Sequence, residues 1–225
     1  MRPEPSIPLD AWIGQLLAAE GLAAMGHAQR PDQADLGLGW LYYGLARLIK
    51  PELAVVIGSW RGFAPMVIAR ALADNGQGRV LFIDPSLVDD FWRDPAAVRA
   101  YFARFGLHNI DHHRLTTQEF VASPRYSALG EVGLLFIDGY HSEEQARFDY
   151  ESFRPSVPAH GVALFHDSIR VRPSRIYGDD KVYEHRVRHL IDELRGRQGL
   201  QVVDLPYGDG LTMVRTAGMP EVLRA

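Results

Sequence analysis

Four short stretches of this chain are continuously or almost continuously apolar, and each stops at a glycine or a polar cluster. Leu53–Ile57 runs into Gly58-Ser59-Trp60, and Arg79–Ile83 into Asp84-Pro85. Val132–Ile137 runs into Asp138-Gly139-Tyr140-His141, and Val162–Phe165 into His166-Asp167-Ser168. A run that does not alternate is the pattern of a parallel strand covered on both faces. Helical patterns fall between the runs, over Phe63 to Ala73, Pro95 to Phe105 and Glu143 to Phe153. Asp94 with Pro95, and Ser142, supply helix starts. Asn109 to Leu115 reads as a weaker strand, and Thr117 as the cap of a short helix. Leu200–Leu205 and Leu211–Arg215 flank a Pro-Tyr-Gly-Asp-Gly turn and read as a hairpin that adds one antiparallel strand. The fold class is therefore α/β, a doubly wound, mostly parallel sheet of seven strands with a C-terminal antiparallel hairpin and N-terminal helices.

Before the first strand, residues 1–8 carry three prolines and read as a loose arm. Leu9, Trp12, Ile13, Leu16 and Leu17 share one helical face. His27 to Leu38 reads as a loop, and Leu38 to Ile49 as a second helix. Residues 1–50 thus form an arm with cap helices, which cover the pocket, make a homodimer contact or merely cover a sheet edge, and residues 51–225 form the α/β domain.

At 225 residues, 47 % hydrophobic and 23 % charged, the chain suits one soluble globular domain. Its net charge of −4 gives no reason to expect nucleic acid or an anionic membrane as partner. With no cysteine there is no disulfide, thiolate metal site or Cys nucleophile, which is compatible with a cytoplasmic protein. The N-terminus has no apolar core of a secretory signal, and no apolar run reaches the ~20 residues of a spanning helix.

In an open α/β sheet ligands sit beyond the carboxyl ends of the strands. If the strands ending at Ile137 and Phe165 are neighbours, Asp138, His141, His166 and Asp167 share one rim. Two carboxylates and imidazoles there form a divalent-cation site with a base beside it, and Mg²⁺, Mn²⁺, Fe²⁺ and Zn²⁺ all remain open. Asp84, ending the second strand, is placed to accept hydrogen bonds from a ribose. Gly58 lets the backbone approach a ligand. Asp149 and Glu143 read as a solvated helix face, and Arg170, Arg172 and Arg175, in a loop over Ser168 to Asp180, as a mobile lid or simply a solvated loop. His185 and His189 have the i, i+4 spacing of a zinc pair, but read as surface residues of a helix whose apolar stripe runs from Tyr183 to Leu194. His108, His112 and His113 read as exposed. The absence of G-x-G-x-x-G argues against a nicotinamide-dependent oxidoreductase.

On VVIGSWRG at 55–62, FIDPS at 82–86, LLFIDGYHSEEQARFDYESF at 134–153, GVALFHDS at 161–168 and LPYGDGLTMVR at 205–215, the chain resembles class I S-adenosylmethionine (SAM)-dependent methyltransferases. It most resembles the metal-dependent branch with the macrolide-sugar and cephalosporin-pathway O-methyltransferases. The resemblance spans 38–215. It implies a Rossmann-like fold, SAM and Mg²⁺ as cofactors, and a small-molecule natural-product hydroxyl as acceptor. It implies a cofactor-binding set of Gly58, Ser59, Trp60, Asp84, Pro85 and Asp138, with Gly58 and Ser59 near the methionine part and Asp84 on the ribose. It further implies Asp138, His166 and Asp167 around the metal, and His141 as catalytic base. The chain departs from that pattern at Val56, where the family carries a Glu facing the amino-acid end of SAM. His166 stands where the branch is often acidic. TTQEF at 116–120 lacks the acidic residue beside the adenine, with Glu119 as a substitute. These departures keep open an alternative, a SAM-binding scaffold that transfers no methyl.

Overall fold

The structure is a computed structural model that describes residues 7–176 and 178–217. Most of the proline-rich arm, residues 1–6, lies outside the described residues. The apolar runs form parallel strands β1 (Leu53–Ile57), β2 (Arg79–Ile83), β4 (Leu134–Ile137) and β5 (Val162–His166), with β3 at Ile110–His113. β6 (Arg172–Ser174) and β7 (Tyr183–His185) make a separate two-stranded ribbon. β8 (Leu200–Leu205) and β9 (Leu211–Thr216) are the expected hairpin, and β9 lies antiparallel beside β5. The sheet has seven strands in the order β3-β2-β1-β4-β5-β9-β8.

Successive residues of a strand face opposite sides of the sheet. Ala54, Val56, Phe82, Phe136 and Leu164 therefore enter one core with α1 (Leu9–Leu17), α2 (Gly39–Ile49), α3 (Phe63–Asp74) and α4 (Pro95–Ala103). Val55, Ile57, Leu81, Leu135 and Phe165 enter a second core. That core holds Phe120 of α5 (Thr117–Val121), Tyr150 and Phe153 of α7 (Glu143–Phe153), and Leu190 and Leu194 of α8 (Val187–Gly196). A single turn, α6 (Pro124–Ser127), follows α5. Helices on both faces keep the backbone of the central strands dry, which is why those strands read as unbroken apolar runs. Among the described residues no helix is long and apolar enough to cross a membrane.

Local signals set most helix starts. The Asp94 carboxylate accepts from Ala96 N, with Pro95 next, and Ser142 Oγ accepts from Gln145 N. The short helix α5 is capped by Thr116 rather than Thr117: Thr116 and Glu119 bond reciprocally in a capping box. The segment from Tyr183 also departs from expectation. Tyr183–His185 pairs with Arg172–Ser174, and the helix begins only at Val187. Part of the loop expected over Ser168 to Asp180 is thereby a strand.

The chain winds outward from β1 in both directions, to β2 and β3 on one side and to β4 and β5 on the other. The loops after β1 and β4 consequently part at the strand ends, and this is where such sheets bind ligands. Gly58 sits there with φ +71°, so close to the β4 loop that a Cβ would lie 2.4 Å from Asp138 O and 2.5 Å from Gly139 Cα. Gly58→Ala is expected to cost on the order of 3 kcal/mol in urea unfolding, from steric overlap and the left-handed backbone. Gly44, exposed in the middle of α2 with nothing within 4 Å of the place a methyl group would occupy, should respond with the opposite sign. Gly44→Ala is expected to stabilise by about 0.5–1 kcal/mol.

Candidate functional site

A cavity of about 570 Å³ opens over the carboxyl ends of β1, β2, β4 and β5. That size suits a small-molecule ligand. Gly58, Ser59, Trp60, Asp84, Pro85, Asp138, His141, His166 and Asp167 all line it, so these nine residues expected at the cofactor, the metal or the reaction meet in one place.

On the β1–β2 side, Asp84 is buried and ties two loops together. Its Oδ2 accepts from Ser59 N at 3.1 Å and its Oδ1 from Ser86 N at 2.8 Å. Burial raises its pKa to about 6 despite these bonds. Ser59 is buried and its Oγ has no hydrogen-bond partner among the described residues. Trp60 holds φ +35°, and its carbonyl accepts from Trp92 Nε1 at 2.9 Å. Val56 is fully buried in the apolar core and does not reach the cavity.

Beside the loop after β3, Thr116, Thr117 and Gln118 line the cavity. Glu119 does not, because its carboxylate is engaged by Thr116 N and Oγ1 on the surface. The acid that does reach the cavity is Asp149, which the sequence pattern placed on a solvated face and which is only 1 % exposed. Gln118 Nε2 donates to Gln145 Oε1 at 2.8 Å, and Gln145 Nε2 to Asp149 Oδ1 at 2.7 Å. Asp149 Oδ2 is buried and has no geometric hydrogen-bond partner among the described residues. Burial raises this carboxyl to about 6, against the Thr117 and Gln145 hydrogen bonds.

At the β4–β5 end the expected rim is present and larger than expected. His166 Nδ1 lies 2.8 Å from Asp138 Oδ1 and 3.4 Å from Asp167 Oδ1. His141 Nε2 lies 3.7 Å from Asp138 Oδ1 and 3.9 Å from Asp167 Oδ2. Two further histidines join. His185, expected on a helix surface, is buried in β7 with Nδ1 3.2 Å from Asp167 Oδ2. His27, expected in a polar loop, is buried with Nε2 3.9 Å from Asp138 Oδ2. Arg172 donates from Nη2 to Asp167 Oδ2 at 2.7 Å, so it belongs to the site and not to a solvated loop. Asp167 holds φ +50°, a left-handed conformation that Asp tolerates better than most residues. His189 remains largely exposed, near Glu143. Of the other expected surface histidines, His108 is exposed. His112 instead packs against Phe82 and Trp92, and His113 is buried between Asp111 and Arg125.

Burial and mutual charge govern this rim. Burial pushes His141 down to about 3 and holds His27 well below its ordinary value. Burial would also lower His166, but Asp138 and Asp167 outweigh it and raise the imidazole to about 9. Asp138 is raised by burial. Burial opposes the charge of Asp167 too, yet His185, His166, His141 and Arg172 hold it well below the carboxylate range. Asp138, His141 and His166, and likewise His141, Asp167 and His185, offer donor atoms within 4.8 Å of one another, a spacing a divalent ion can bridge. Each trio holds more imidazole than carboxylate, whereas Mg²⁺ keeps a shell of carboxylate and water oxygens, so the donors fit a divalent ion but not Mg²⁺.

Asp84 and Asp149 give a pH dependence with a defined sign. A carboxyl raised from 3.8 to about 6 by folding binds its proton more tightly in the native state. Its contribution to stability is full below pH ~4 and is lost as pH rises to ~6. Asp149→Asn removes that titration and keeps the acceptor for Gln145. The stability of the variant relative to wild type should therefore rise between pH 4 and 7, by about 1–3 kcal/mol in denaturant unfolding. A difference that stays flat with pH would contradict the raised pKa of this buried carboxyl.

A family model described as a methyltransferase domain matches residues 55–168, just over half of the chain. No curated protein matches. Among solved structures, a Corynebacterium glutamicum protein is similar at 20 % identity and TM-score 0.66, over 96 % of this chain and 94 % of its own. An O-methyltransferase from Bacillus cereus in complex with SAH is similar at 17 % identity and TM-score 0.64, over 93 % and 92 %. The O-methyltransferase TomG of Streptomyces achromogenes, involved in tomaymycin synthesis and in complex with SAM, is similar at 17 % identity and TM-score 0.62, over 95 % and 92 %. With the sheet order, the cavity at its switch point and the family match over 55–168 in agreement, the chain belongs to the methyltransferase-domain family in its class I, seven-stranded form.

Proposed function

We propose that the protein transfers the methyl group of SAM to a hydroxyl of a small natural-product molecule, with a divalent ion assisting. One observation carries this reading: the Gly58-Ser59 turn and Asp84 share a single cavity with the Asp138, His141, His166 and Asp167 rim. A donor site and a proton-accepting site therefore adjoin. The SAM and SAH complexes of TomG and the B. cereus enzyme, both O-methyltransferases of the same fold, support the choice of cofactor and of oxygen as acceptor.

In this reading Asp84 accepts hydrogen bonds from the ribose hydroxyls while Ser59 N and Ser86 N fix its orientation. The Gly58 backbone lets the methionine part approach the strand ends. Trp60 and Pro85 wall the cofactor. The reaction is a displacement: the acceptor oxygen forms a bond to the methyl carbon as the carbon–sulfur bond breaks, and the pair of electrons returns to sulfur. Alignment of the reacting atoms is the main contribution the protein makes. His141 Nε2, neutral and facing both carboxylates, takes the hydroxyl proton, and Asp138 and Asp167 stabilise the imidazolium that forms. A divalent ion held by Asp138, His166 and Asp167 would polarise the acceptor oxygen and lower its pKa.

A second reading, SAM binding without transfer, is favoured by Val56. No carboxylate stands where the family holds the amino-acid end of SAM, because this position is sealed in the apolar core. The unpartnered Ser59 Oγ is the polar group left to meet that end.

Calorimetric titration of SAM, followed by detection of SAH released with a panel of phenolic and sugar hydroxyls, separates the two. Binding with SAH release supports transfer, binding without release under any acceptor supports the second reading, and no binding removes both. Asp84→Ala is expected to weaken SAM binding about 10–100-fold, the loss of hydrogen bonds to a charged group. His141→Ala is expected to lower kcat by ~10²–10⁴ while leaving SAM affinity unchanged. Unchanged kcat would exclude His141 as the base.

A further inference from the structure

The two-stranded ribbon forms one wall of the cavity, and the wall changes in polarity along its length. Arg172 pairs with His185, and Ser174 with Tyr183. Side chains alternate across a strand, so these four share one face, and all four line the cavity. Ile176, just past the end of β6, lines it too. Val171, Pro173, Val182 and Glu184 have the opposite parity and do not line it.

The base of this wall is charged and enclosed. Arg172 donates to Asp167 Oδ2 at 2.7 Å, and the buried His185 has Nδ1 3.2 Å from the same oxygen. Two residues farther along, the wall turns apolar. Tyr183 stacks on Tyr140 with the rings only 12° from parallel. Tyr140, 38 % exposed, and Ile176, 43 % exposed, stand where the cavity meets solvent. Single exposed apolar side chains are ordinary on a surface, but a group of them bordering a cavity marks a binding surface. The positive charge of the wall is meanwhile matched. Arg172 also reaches Asp209 at 2.7 Å, and Arg175 pairs with Asp179 at 3.4 Å. A phosphate or carboxylate on the acceptor would compete with carboxylates already in place.

The size of the cavity points the same way. SAM has about 27 non-hydrogen atoms and, at roughly 15 Å³ for each when closely packed, fills ~400 Å³. The cavity holds about 570 Å³. What is left takes one ring bearing the hydroxyl. Any larger body of the acceptor lies at the mouth, against Tyr183, Tyr140 and Ile176.

We propose that the β6–β7 ribbon is the acceptor-binding wall and that it selects an alcohol or phenol with an apolar body. The hydroxyl end lies at the base, beside His141, whose ring centre is 4.4 Å from that of His185. The apolar body follows the wall out to Ile176. A free sugar or a phosphorylated compound gains little there, because apolar surface rewards the removal of apolar surface from water. Calling the bound molecule the acceptor rests on the methyl-transfer reading above, whereas the preference for an apolar body rests on the wall itself.

The test titrates the full-length protein calorimetrically with 4-methylphenol, 4-propylphenol and 4-pentylphenol, with and without saturating SAH. Methyl glucoside and phenyl phosphate serve as polar probes. A fully buried methylene tightens binding about fourfold, and the half-open tip should give about twofold for each, or roughly 15-fold from methyl to pentyl. Both polar probes should bind more weakly than 4-pentylphenol. Ile176→Asp, at an exposed position, should cut the gain to less than about threefold and leave SAH affinity unchanged. Val182→Asp, on the other face of the ribbon, should retain the gain. Equal affinity along the alkyl series in the wild-type protein overturns the proposal without reliance on any variant. So does phenyl phosphate or methyl glucoside binding more tightly than 4-pentylphenol, or a gain that Ile176→Asp leaves intact. If SAH binds, each of these outcomes leaves the methyltransferase reading standing. Absence of SAH binding counts against that reading, while an alkyl gain that Ile176→Asp removes still supports the apolar wall.

Discussion

The contact between the loops after β1 and β4 is the constraint on which the rest of the site depends. Gly58 lies against the Asp138 carbonyl and Gly139 with no room for a side chain. That closeness follows from β1 and β4 being hydrogen-bonded neighbours while the chain departs from them in opposite directions. It brings the Gly58-Ser59 turn next to the carboxylate that begins the histidine-rich rim. Asp84 extends the same tie to β2 by accepting from Ser59 N and Ser86 N. A cavity side chain that also joins two loops is held in place before any ligand arrives, which lowers the ordering cost of binding.

Charge is concentrated on the other side of the cavity. Asp138 and Asp167 are nearly buried, and isolated buried carboxylates are expensive. The protein meets that cost with histidines on four separate segments and with Arg172. Asp167 gathers His166 from its own strand, His185 and Arg172 from the ribbon, and His141 from the turn before α7. The ribbon is thus pinned through Asp167 from both of its strands. Tyr183 adds a stack on Tyr140, with ring centres 4.3 Å apart. A short antiparallel pair that would be marginal in water is stable here because its polar side chains close the site.

Much of this was legible in the residues themselves. The runs LAVVI, RVLFI, LLFI and VALF became the central strands because burial on both faces demands unbroken apolar sequence. Asp84, Asp138, His166 and Asp167 could be placed together because parallel strands deliver their carboxyl-end residues to one rim. The misreadings have physical reasons too. Tyr183, Val187, Leu190, Ile191 and Leu194 fit a helical stripe, and local periodicity cannot reveal that the first turn of that stripe is unwound to pair with Arg172–Ser174. Asp149 shares a helix with Glu143 and Glu144, yet its turn faces the cavity floor and theirs faces water. His112 and His113 lie on an edge strand whose faces are covered by Trp92 and by Arg125 of α6, and strand periodicity carries no sign of either cover.

By itself the sequence determined the strands of the seven-stranded sheet, their winding, the hairpin and the residues at the strand ends, because those depend on side-chain period and on what can be buried. Tertiary structure alone decided that His27 and His185 enter the rim, that Val56 is shut away from it and that Asp149, not Glu119, is the acid beside Gln118 and Gln145 in the cavity. Each of those outcomes depends on which distant segment covers which face. His27 is fixed by its hydrogen bond to Tyr42 and its stack on Phe63, and His185 by Tyr183 and Asp167. Contacts of that range carry no periodic signature, so the full set of side chains at the rim emerges only when the chain is folded.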